Sequence, residues 1–409
     1  MLKRRIAVMG FFIVWLASGW CLAAPPERLG GLPVVVLKGT HYERGVAHGA
    51  ALHKQIVDLV DNYLAQKTAS PLLFLLMLQQ VAPLIDAGDG FQDEARGIVD
   101  GAKQANNGTF RSRYRDEDFT WQEVIALNTY VDYIGTACSS VSVWGGATAD
   151  GALKGGAVLA RNLDWSLSPD LLRNQALFVH LPSEAGEQPF LSVGFAGFLG
   201  CLSCVNQAGL GAFLNLGYGD RAGTFPPREK FLPAALAFRR AVETVAPEGT
   251  SLLDHFVTLL TARHHIGSFI IHAIAPREPG KDAAVVVELQ EGTHAVRRAG
   301  DDKQFASPVL VATNHNRLAG KARACQRYSI AVAGAATTGR VFAPDNLWQL
   351  LTKMQRSDTM QRMLLVPATG EFRLSVRQAG SGAIKKVKAL VSQPFAAVES
   401  ITLKELFTP

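Results

Sequence analysis

The sequence predicts an α+β protein built in stacked layers, with helices outside and two sheets inside. Three observations point that way. Apolar residues recur at helical spacing from His41 to about residue 135. After Ala137 short β-rich runs alternate with Gly, Asn and Asp turns. Helical spacing then returns between two blocks of strands, so neither element type can bury its apolar face without the other. With 409 residues, 48% hydrophobic and 19% charged, the chain can bury a large core as one compact unit, which excludes disorder, collagen and a small disulfide scaffold. The net charge of +6 is spread without a basic block, and no nucleic-acid partner is expected. No internal repeat or low-complexity segment is present.

Lys3, Arg4 and Arg5 precede the apolar run Ile6 to Trp20, and Cys21, Leu22, Ala23 and Ala24 follow. Segment 1–23 therefore reads as a secretory signal peptide, and the mature protein is expected to be exported to a periplasmic or extracellular space. The run is shorter than the roughly 20 residues of a spanning helix, and Pro25 and Pro26 end it, so no membrane span is expected in the mature chain. Trp20 before Cys21 argues against a lipoprotein signal.

Segment 24–137 is expected to be mainly helical, with helices over His41 to about Gln66, roughly 70 to 105 and 119 to 135. The apolar Leu72 to Leu78, in a charge-free stretch broken by Pro83, reads as a core helix rather than a lipid-facing lid. From Ser139 onward the runs Ser139 to Trp144, Ala157 to Ala160, Ala176 to Leu181, Pro189 to Gly194 and Gly209 to Leu216 predict a meandering antiparallel sheet. Helices are expected between about Leu232 and Arg263, strands from Ser268 to Thr313, helices near Gln326 to Ala333 and Pro344 to Gln355, and a last strand pair from about Met363 to Val376. His264 and His265, about 100° apart on a helix, make a poor shared metal site and read as surface or capping residues. Phosphate-loop, H-E-x-x-H, G-x-S-x-G and G-x-G-x-x-G motifs are absent, and no cofactor or metal is expected.

Without the signal segment four cysteines remain, too few for a disulfide framework. Cys138 sits among small residues in Gly135-Thr136-Ala137-Cys138-Ser139-Ser140, where the helical region ends. Arg161-Asn162-Leu163-Asp164-Trp165 follows the strand-like Gly156 to Ala160, and a hairpin joining the two would return Arg161 and Asp164 to the cysteine. An arginine favours thiolate, and a carboxylate orients or stabilises an ammonium group. A buried cysteine beside a structural ion pair fits that spacing equally well.

The segment Ala137-Cys138-Ser139-Ser140-Val141-Ser142-Val143-Trp144-Gly145, the turn Ala149-Asp150-Gly151 and the Arg161 to Trp165 block resemble the nucleophile region of the peptidase C45 or isopenicillin N acyltransferase-like family, whose wider relatives are choloylglycine hydrolase and acid ceramidase. Lys38-Gly39-Thr40-His41-Tyr42-Glu43-Arg44-Gly45-Val46-Ala47-His48-Gly49 is similar to the family's opening signature. Asn206-Gln207-Ala208-Gly209-Leu210 and Thr313-Asn314-His315 match later blocks in the same order. The resemblance spans nearly the whole mature chain and implies a four-layer αββα N-terminal nucleophile hydrolase fold. In it 24–137 and 138–409 are two fragments of one domain that stay associated after self-cleavage before Cys138.

The resemblance also implies roles. The thiol of Cys138 attacks the carbonyl of a small N-acyl amide, and the new α-amine moves the proton. Such an amine has a reference pKa of about 7.7 to 8.0, so no histidine is needed beside it. Arg161 and Asp164 stand beside thiol and amine, Asp164 orienting the amine; Asn215 donates to the oxyanion; Asn314 and Arg327 complete the set, with Arg317 or Arg323 as stand-ins for Arg327. Asn206 reads as turn chemistry, and His48 and His315 as structural. Leu72 to Leu78 and Phe190 to Phe198 suggest a hydrophobic acyl group, although core packing accounts for both. Ala137 replaces the glycine that many relatives have before the cysteine. Cys201 and Cys204, read as two residues of one strand about 10 Å apart, are expected to be buried thiols. The product is expected to be a hydrolysed linear amide or, if an amine intercepts the thioester, a transferred acyl group. A thiol-disulfide redox protein using Cys201 and Cys204 leaves the Arg161/Asp164 block unexplained, and a non-catalytic ligand carrier would have had no use for Cys138 and Asp164.

Overall fold

The computed structural model describes residues 27–133, 137–218, 227, 229–305, 308–319, 323–335, 341–379 and 395–407. The expected signal peptide, and Gly135 and Thr136 before the cysteine, lie outside the described residues. In chain order the elements are β1 (Arg28–Leu29), β2 (Leu32–Gly39), α1 (His41–Leu59), α2 (Pro71–Val81), α3 (Asp89–Ala105), α4 (Trp121–Leu127), α5 (Tyr130–Tyr133), β3 (Ala137–Val143), β4 (Val158–Asp164), α6 (Pro169–Leu172), β5 (Gln175–Pro182) and β6 (Phe190–Phe195). There follow β7 (Ser203–Asn206), β8 (Gly211–Leu216), α7 (Ala234–Glu243), α8 (Leu252–Thr261), β9 (Phe269–Ile274), β10 (Ala284–Gln290), β11 (Thr293–Arg297), β12 (Val309–Ala312), α9 (Gln326–Ala335), α10 (Pro344–Lys353), β13 (Thr359–Val366), β14 (Glu371–Val376), β15 (Glu399–Thr402) and α11 (Leu403–Phe407).

Two sheets form the interior. One has nine strands in the order β1-β2-β5-β6-β7-β8-β9-β10-β11, and the other six in the order β12-β3-β4-β13-β14-β15. Among these strands only β2 and β5 pair in parallel. Because strand side chains alternate between faces, these sheets divide most of the described buried apolar residues into three large cores, with a small fourth cluster of Val81, Phe231 and Ile266 beside them. Phe178, Phe190, Leu214 and Ile271 pack on α1, α3, α7 and α8 through Ile56, Ile98, Phe238 and Phe256. The opposite face of the same sheet sets Leu177, Leu191, Phe213 and Ile270 against Leu159, Leu310, Met363 and Phe372 of the six-stranded sheet. That sheet's far face, with Val141, Val158, Val311 and Leu364, meets Tyr328 and Ala331 of α9 and Leu347 and Leu350 of α10. Three cores between four layers make this an α+β, four-layer αββα protein.

The opening signature is accounted for locally. Thr40 and Glu43 close a capping box at the start of α1, the Thr40 side chain accepting from the Glu43 N–H and the Glu43 carboxylate from the Thr40 N–H at 2.8 Å. Gly45 and Gly49 let α1 lie backbone to backbone on α3, where a Cβ at either position would collide with the carbonyl oxygens of Glu94 and Ile98. His48 accepts the Gly197 N–H at 3.0 Å, and Asn206 bridges Val242 and Leu210, so both act within the fold.

Four expectations need correction. The strand-like run ending at Ala160 continues to Asp164, so Arg161 and Asp164 are themselves strand residues. The hairpin β3–β4 does not continue a meander into β5; it sits in the six-stranded sheet, because its flanking partners β12 and β13 come from far along the chain. Cys201 and Cys204 form a disulfide with their Cα atoms 5.8 Å apart. The chain is extended only from Ser203 onward and folds back at 196–202, which brings together two sulfurs that a continuous strand would keep apart. The helix α2 buries Phe74, Leu75, Leu78 and Val81, but Leu72, Leu73 and Leu76 are exposed, so only one face of it is core. His265 is buried and bonded to the carbonyls of Leu260 and Leu232, closing the end of α8. Among the described residues no helix is long and apolar enough to cross a membrane.

Candidate active site

The antiparallel register of β3 with β4 pairs Ala137 with Asp164, Cys138 with Leu163 and Ser140 with Arg161. Alternation then sends Val141 and Val143 toward α9 and α10 and turns Cys138, Ser140 and Ser142 toward the nine-stranded sheet. Cys138 is completely buried and is not disulfide-bonded. Its sulfur lies 3.3 Å from Arg161 Nη2 and 3.8 Å from the carbonyl oxygen of Leu214 on β8. Arg161 is fixed in turn by that same carbonyl and, through Nη1, by Ser203 Oγ at 2.8 Å.

The backbone of Cys138 is held as closely as its side chain. Its N–H donates to Asn314 Oδ1 at 2.9 Å, and its carbonyl accepts from Arg327 Nη1. Arg327 also donates to Asn314 Oδ1 at 2.6 Å and to Asp164 Oδ2 at 3.0 Å. Asn314 Nδ2 donates to the carbonyl of Leu216, while Thr359, opposite Asp164 on β13, donates to Asp164 Oδ1. Arg356 Nε stands 4.0 Å from the same carboxylate. Asp164 thus meets the cysteine's nitrogen through Arg327 and Asn314 rather than by a direct bond.

All six residues singled out in the sequence are buried or nearly so and lie between the sheets or at their shared edge. Cys138, Arg161, Asp164, Asn314 and Arg327 form one connected cluster. Asn215, on β8, is set apart from the sulfur: its Nδ2 faces Ser140 Oγ and the Thr313 carbonyl, each at 3.4 Å, and its Oδ1 has no partner among the described residues. Arg317 stacks on Tyr328 at 3.6 Å and its backbone is bonded to Glu288, so Arg327 rather than Arg317 reaches the cluster.

Burial dominates the electrostatics. It pushes the Cys138 thiol above its ordinary value, and Arg161 and Arg327 pull the other way. It also raises Asp164 to about 6, against the Thr359 hydrogen bond and the charge of Arg327. Among the described residues no imidazole touches the sulfur. The buried His272 on β9 is bonded to Ser140 Oγ at 2.9 Å and Ser142 Oγ at 2.7 Å, and burial holds it far below the usual imidazole range and therefore neutral. His272, Ser203, Thr359 and Arg356 lie outside the motif blocks. A period-two run of polar residues after the cysteine and one histidine inside the apolar strand Phe269–Ile274 are the signals that mark the first of them; Ser203, Thr359 and Arg356 carry none. A different group, His41, Glu187 and Glu243, brings its ligand atoms within 4.8 Å of one another, but Arg44 and Arg239 already bond to the two carboxylates.

No family model matches the chain. It is 25% identical over 213 residues to Protein dcd1A and 26% identical over 187 residues to Protein dcd1B, both of Dictyostelium discoideum. Those stretches cover 45% and 42% of this chain and 44% and 36% of the relatives, so the chain spans less than half the length of the curated relatives it matches. Among solved structures it is similar to a Caenorhabditis elegans N-acylethanolamine-hydrolyzing acid amidase ortholog (17% identity, TM-score 0.42, 56% of this chain and 93% of the other). It is also similar to penicillin V acylase from Agrobacterium tumefaciens (14%, 0.35, 58% and 82%). A third is a mutant of the conjugated bile acid hydrolase from Clostridium perfringens (11%, 0.38, 66% and 94%).

Proposed function

We propose that the protein is an exported, self-cleaving cysteine hydrolase that opens linear amides of small N-acyl substrates through a thioester on Cys138. The observation that carries this reading is the grip on Cys138 itself. Asn314 holds its nitrogen, Arg327 its carbonyl and Arg161 its sulfur, while no side-chain base touches the thiol among the described residues. The proton acceptor that such an arrangement lacks is supplied if the nitrogen becomes a free α-amine.

Maturation begins with attack of the Cys138 sulfur on the Ala137 carbonyl carbon, which moves the acyl group from nitrogen to sulfur. Water then opens that thioester, and the net change is one peptide bond hydrolysed to an Ala137 carboxylate and a Cys138 amine. In turnover the amine takes the thiol proton, the sulfur adds to the substrate carbonyl, and the protonated amine returns the proton to the leaving amine. Water repeats the sequence to release the acid and restore the thiol. Arg161 stabilises sulfur as it becomes anionic, Asn314 orients the amine, Asp164 holds Arg327 in place, and Asn215 Nδ2 turns from Ser140 to the oxyanion, a contact whose removal typically costs about 10²- to 10³-fold.

An apolar hollow of about 390 Å³ between α2 and α4, lined by Leu64, Phe74, Met77, Leu78, Val81 and Tyr130, supports a hydrophobic acyl group. Tyr130 stacks on Trp165, the neighbour of Asp164. The disulfide Cys201–Cys204 is in keeping with export to an oxidising compartment.

Intact-mass analysis tests the reading. Wild type is expected as two copurifying fragments, the larger beginning at Cys138, and Cys138→Ala as one chain. Incubation with N-acyl amides should leave an acyl adduct on Cys138, and product that appears only with an added amine would identify a transferase. A fully active uncut chain would overturn the N-terminal nucleophile reading.

A further inference from the structure

Asn314, which meets the Cys138 nitrogen, lies on the loop between β12 and α9, and one buried ion pair holds that loop on both sides of it. Glu288 of β10 and Arg297 of β11 are buried, and Arg297 Nε donates to Glu288 Oε1 at 3.2 Å. Three residues before Asn314, the carbonyl of Val311 accepts from Arg297 Nη2 at 2.8 Å. β12 is an edge strand of its sheet, so the guanidinium supplies a bond where no further strand pairs among the described residues. Starting three residues after Asn314, the backbone N–H groups of Arg317, Leu318 and Ala319 converge on Glu288 Oε2 at 2.8, 2.9 and 3.0 Å. Such a run of N–H groups is a backbone cradle for an anion, and here the anion is a side chain of the nine-stranded sheet. Gln290, two residues further along β10, adds a 2.9 Å bond to the Ala319 carbonyl. The loop is also tied to the helix that carries Arg327, because Arg317 stacks on Tyr328.

We infer that Glu288 and Arg297 are positioning residues for the reaction at Cys138: by fixing the backbone of 311–319 they set Asn314 Oδ1 against the Cys138 nitrogen. The inference rests on the proposed amide cleavage and adds to it the residues that keep the amine in place. Asn314 Oδ1 accepts from the Cys138 N–H at 2.9 Å and from Arg327 at 2.6 Å, while Nδ2 donates to the Leu216 carbonyl at 2.7 Å. Those bonds aim the side chain; the clamped backbone sets where its Cα stands. After self-cleavage the same oxygen accepts from the α-amine, and because that bond favours the ammonium form it raises the amine pKa. With the clamp loosened the oxygen retreats, the amine loses its orientation, and a displacement of about 1 Å in such a group costs up to about 10²-fold in rate.

The test uses Glu288→Gln, which keeps the shape of the side chain and removes its charge. Processed enzyme is assayed on an N-acyl amide across pH, with an acyl p-nitrophenyl ester reporting in parallel whether Cys138 can be acylated. Relative to wild type, kcat should fall by roughly tenfold or more with KM within about twofold, as for a group that acts on the reacting atoms and not on substrate binding. The rise of kcat/KM with pH, which follows loss of the amine proton, should move to lower pH. Glu288→Asp, with its charge on a shorter stem, should recover part of kcat. Arg297→Lys keeps the positive charge but cannot hold Glu288 and Val311 together as the guanidinium fork does; it should lower kcat in the same direction by a few-fold, and it decides the matter if Glu288→Gln does not fold. Wild-type kcat and pH profile in either folded variant, with only the melting temperature lowered, overturns the positioning role and leaves amide cleavage standing. Failure of the ester to acylate wild-type Cys138 overturns the cleavage reading and the positioning role with it.

Discussion

Burial opposes ionisation of the two central groups of the site, and each is answered by an arginine. Arg161 lies against the Cys138 sulfur, and Arg327 against Asp164, whose carboxyl is nonetheless raised to about 6. An acid raised above its ordinary 3.8 binds its proton more tightly when folded, so its contribution to stability is complete below that value and is lost as pH rises through about 6. Asp164→Asn has no proton to lose. Its melting temperature should therefore gain on that of wild type as pH is raised from about 4 to about 7. Processing and turnover of wild type should fall as pH drops through 6, where Arg327 loses its ionic partner. A pH-independent difference between the two melting curves would show that the carboxyl titrates normally. Ser203 gives a second residue-scale expectation. It holds Arg161 by one hydrogen bond, so Ser203→Ala should lower kcat by roughly tenfold, equivalent to a small loss of transition-state contact, with little change in melting temperature.

At the scale of elements, two close approaches carry the geometry. The α1–α3 contact depends on glycines from both helices, Gly45, Gly49, Gly97 and Gly101, each facing a carbonyl of the other helix. A methyl group there forces the helices apart. Gly49→Ala should cost about 1–3 kcal/mol in chemical denaturation, as overpacking does; an unchanged midpoint would mean that the helices slide freely. The second is the disulfide Cys201–Cys204, which closes the turn leading into β7 on either side of Ser203. Cys201→Ala with Cys204→Ala should lower stability by about 2 kcal/mol, the loop-closure value for so short a ring. These elements also mark how far the sequence could be read. Periodicity located α1 to α4, α7 to α10 and most strands, because amphipathic spacing is a local property. It did not reveal that β3–β4 joins β12 and β13, since partner choice is set by packing across the chain. The β-branched run Val34 to Val36 carried a signal for β2 that the helical texture around it obscured. Cys138, Arg161, Asp164 and Asn314 stand in motif blocks and Arg327 is implied by the resemblance with Arg317 and Arg323 as alternatives, whereas Thr359 and Ser203 reach the cluster only through tertiary pairing.

At the scale of the whole molecule, a second buried polar cluster ties the helical layer to the nine-stranded sheet. Glu94 of α3 receives Arg239 of α7 at 2.8 and 2.6 Å and faces His41 of α1 at 2.9 Å. His41 also faces Glu187, in the β5–β6 connection, at 2.8 Å; Arg44 donates to Glu187, and Arg239 to Glu243. Burial lowers the pKa of His41, but Glu187 and Glu94 outweigh it and raise the group to about 9. The stability it contributes is present in full below about 6.5 and is lost as pH climbs through about 9. Removing one member of so deeply buried a set leaves its partner charged and short of a counter-ion. Glu94→Gln leaves Arg239, which is wholly buried, with Glu243 as its remaining carboxylate, and should cost about 3 kcal/mol. It should also bring the alkaline loss of stability to lower pH, because His41 loses one of its two carboxylates. Among the described residues this cluster shares no hydrogen bond with the one around Cys138. Well below its melting temperature, processed Glu94→Gln should therefore acylate Cys138 at the wild-type rate. Denaturant titration at several pH values and ester-acylation kinetics on the same preparation separate the two properties. A stable variant with slowed acylation would show that the helical layer acts directly on the site, whereas the hydrogen-bond map predicts that it acts only through the stability of the fold.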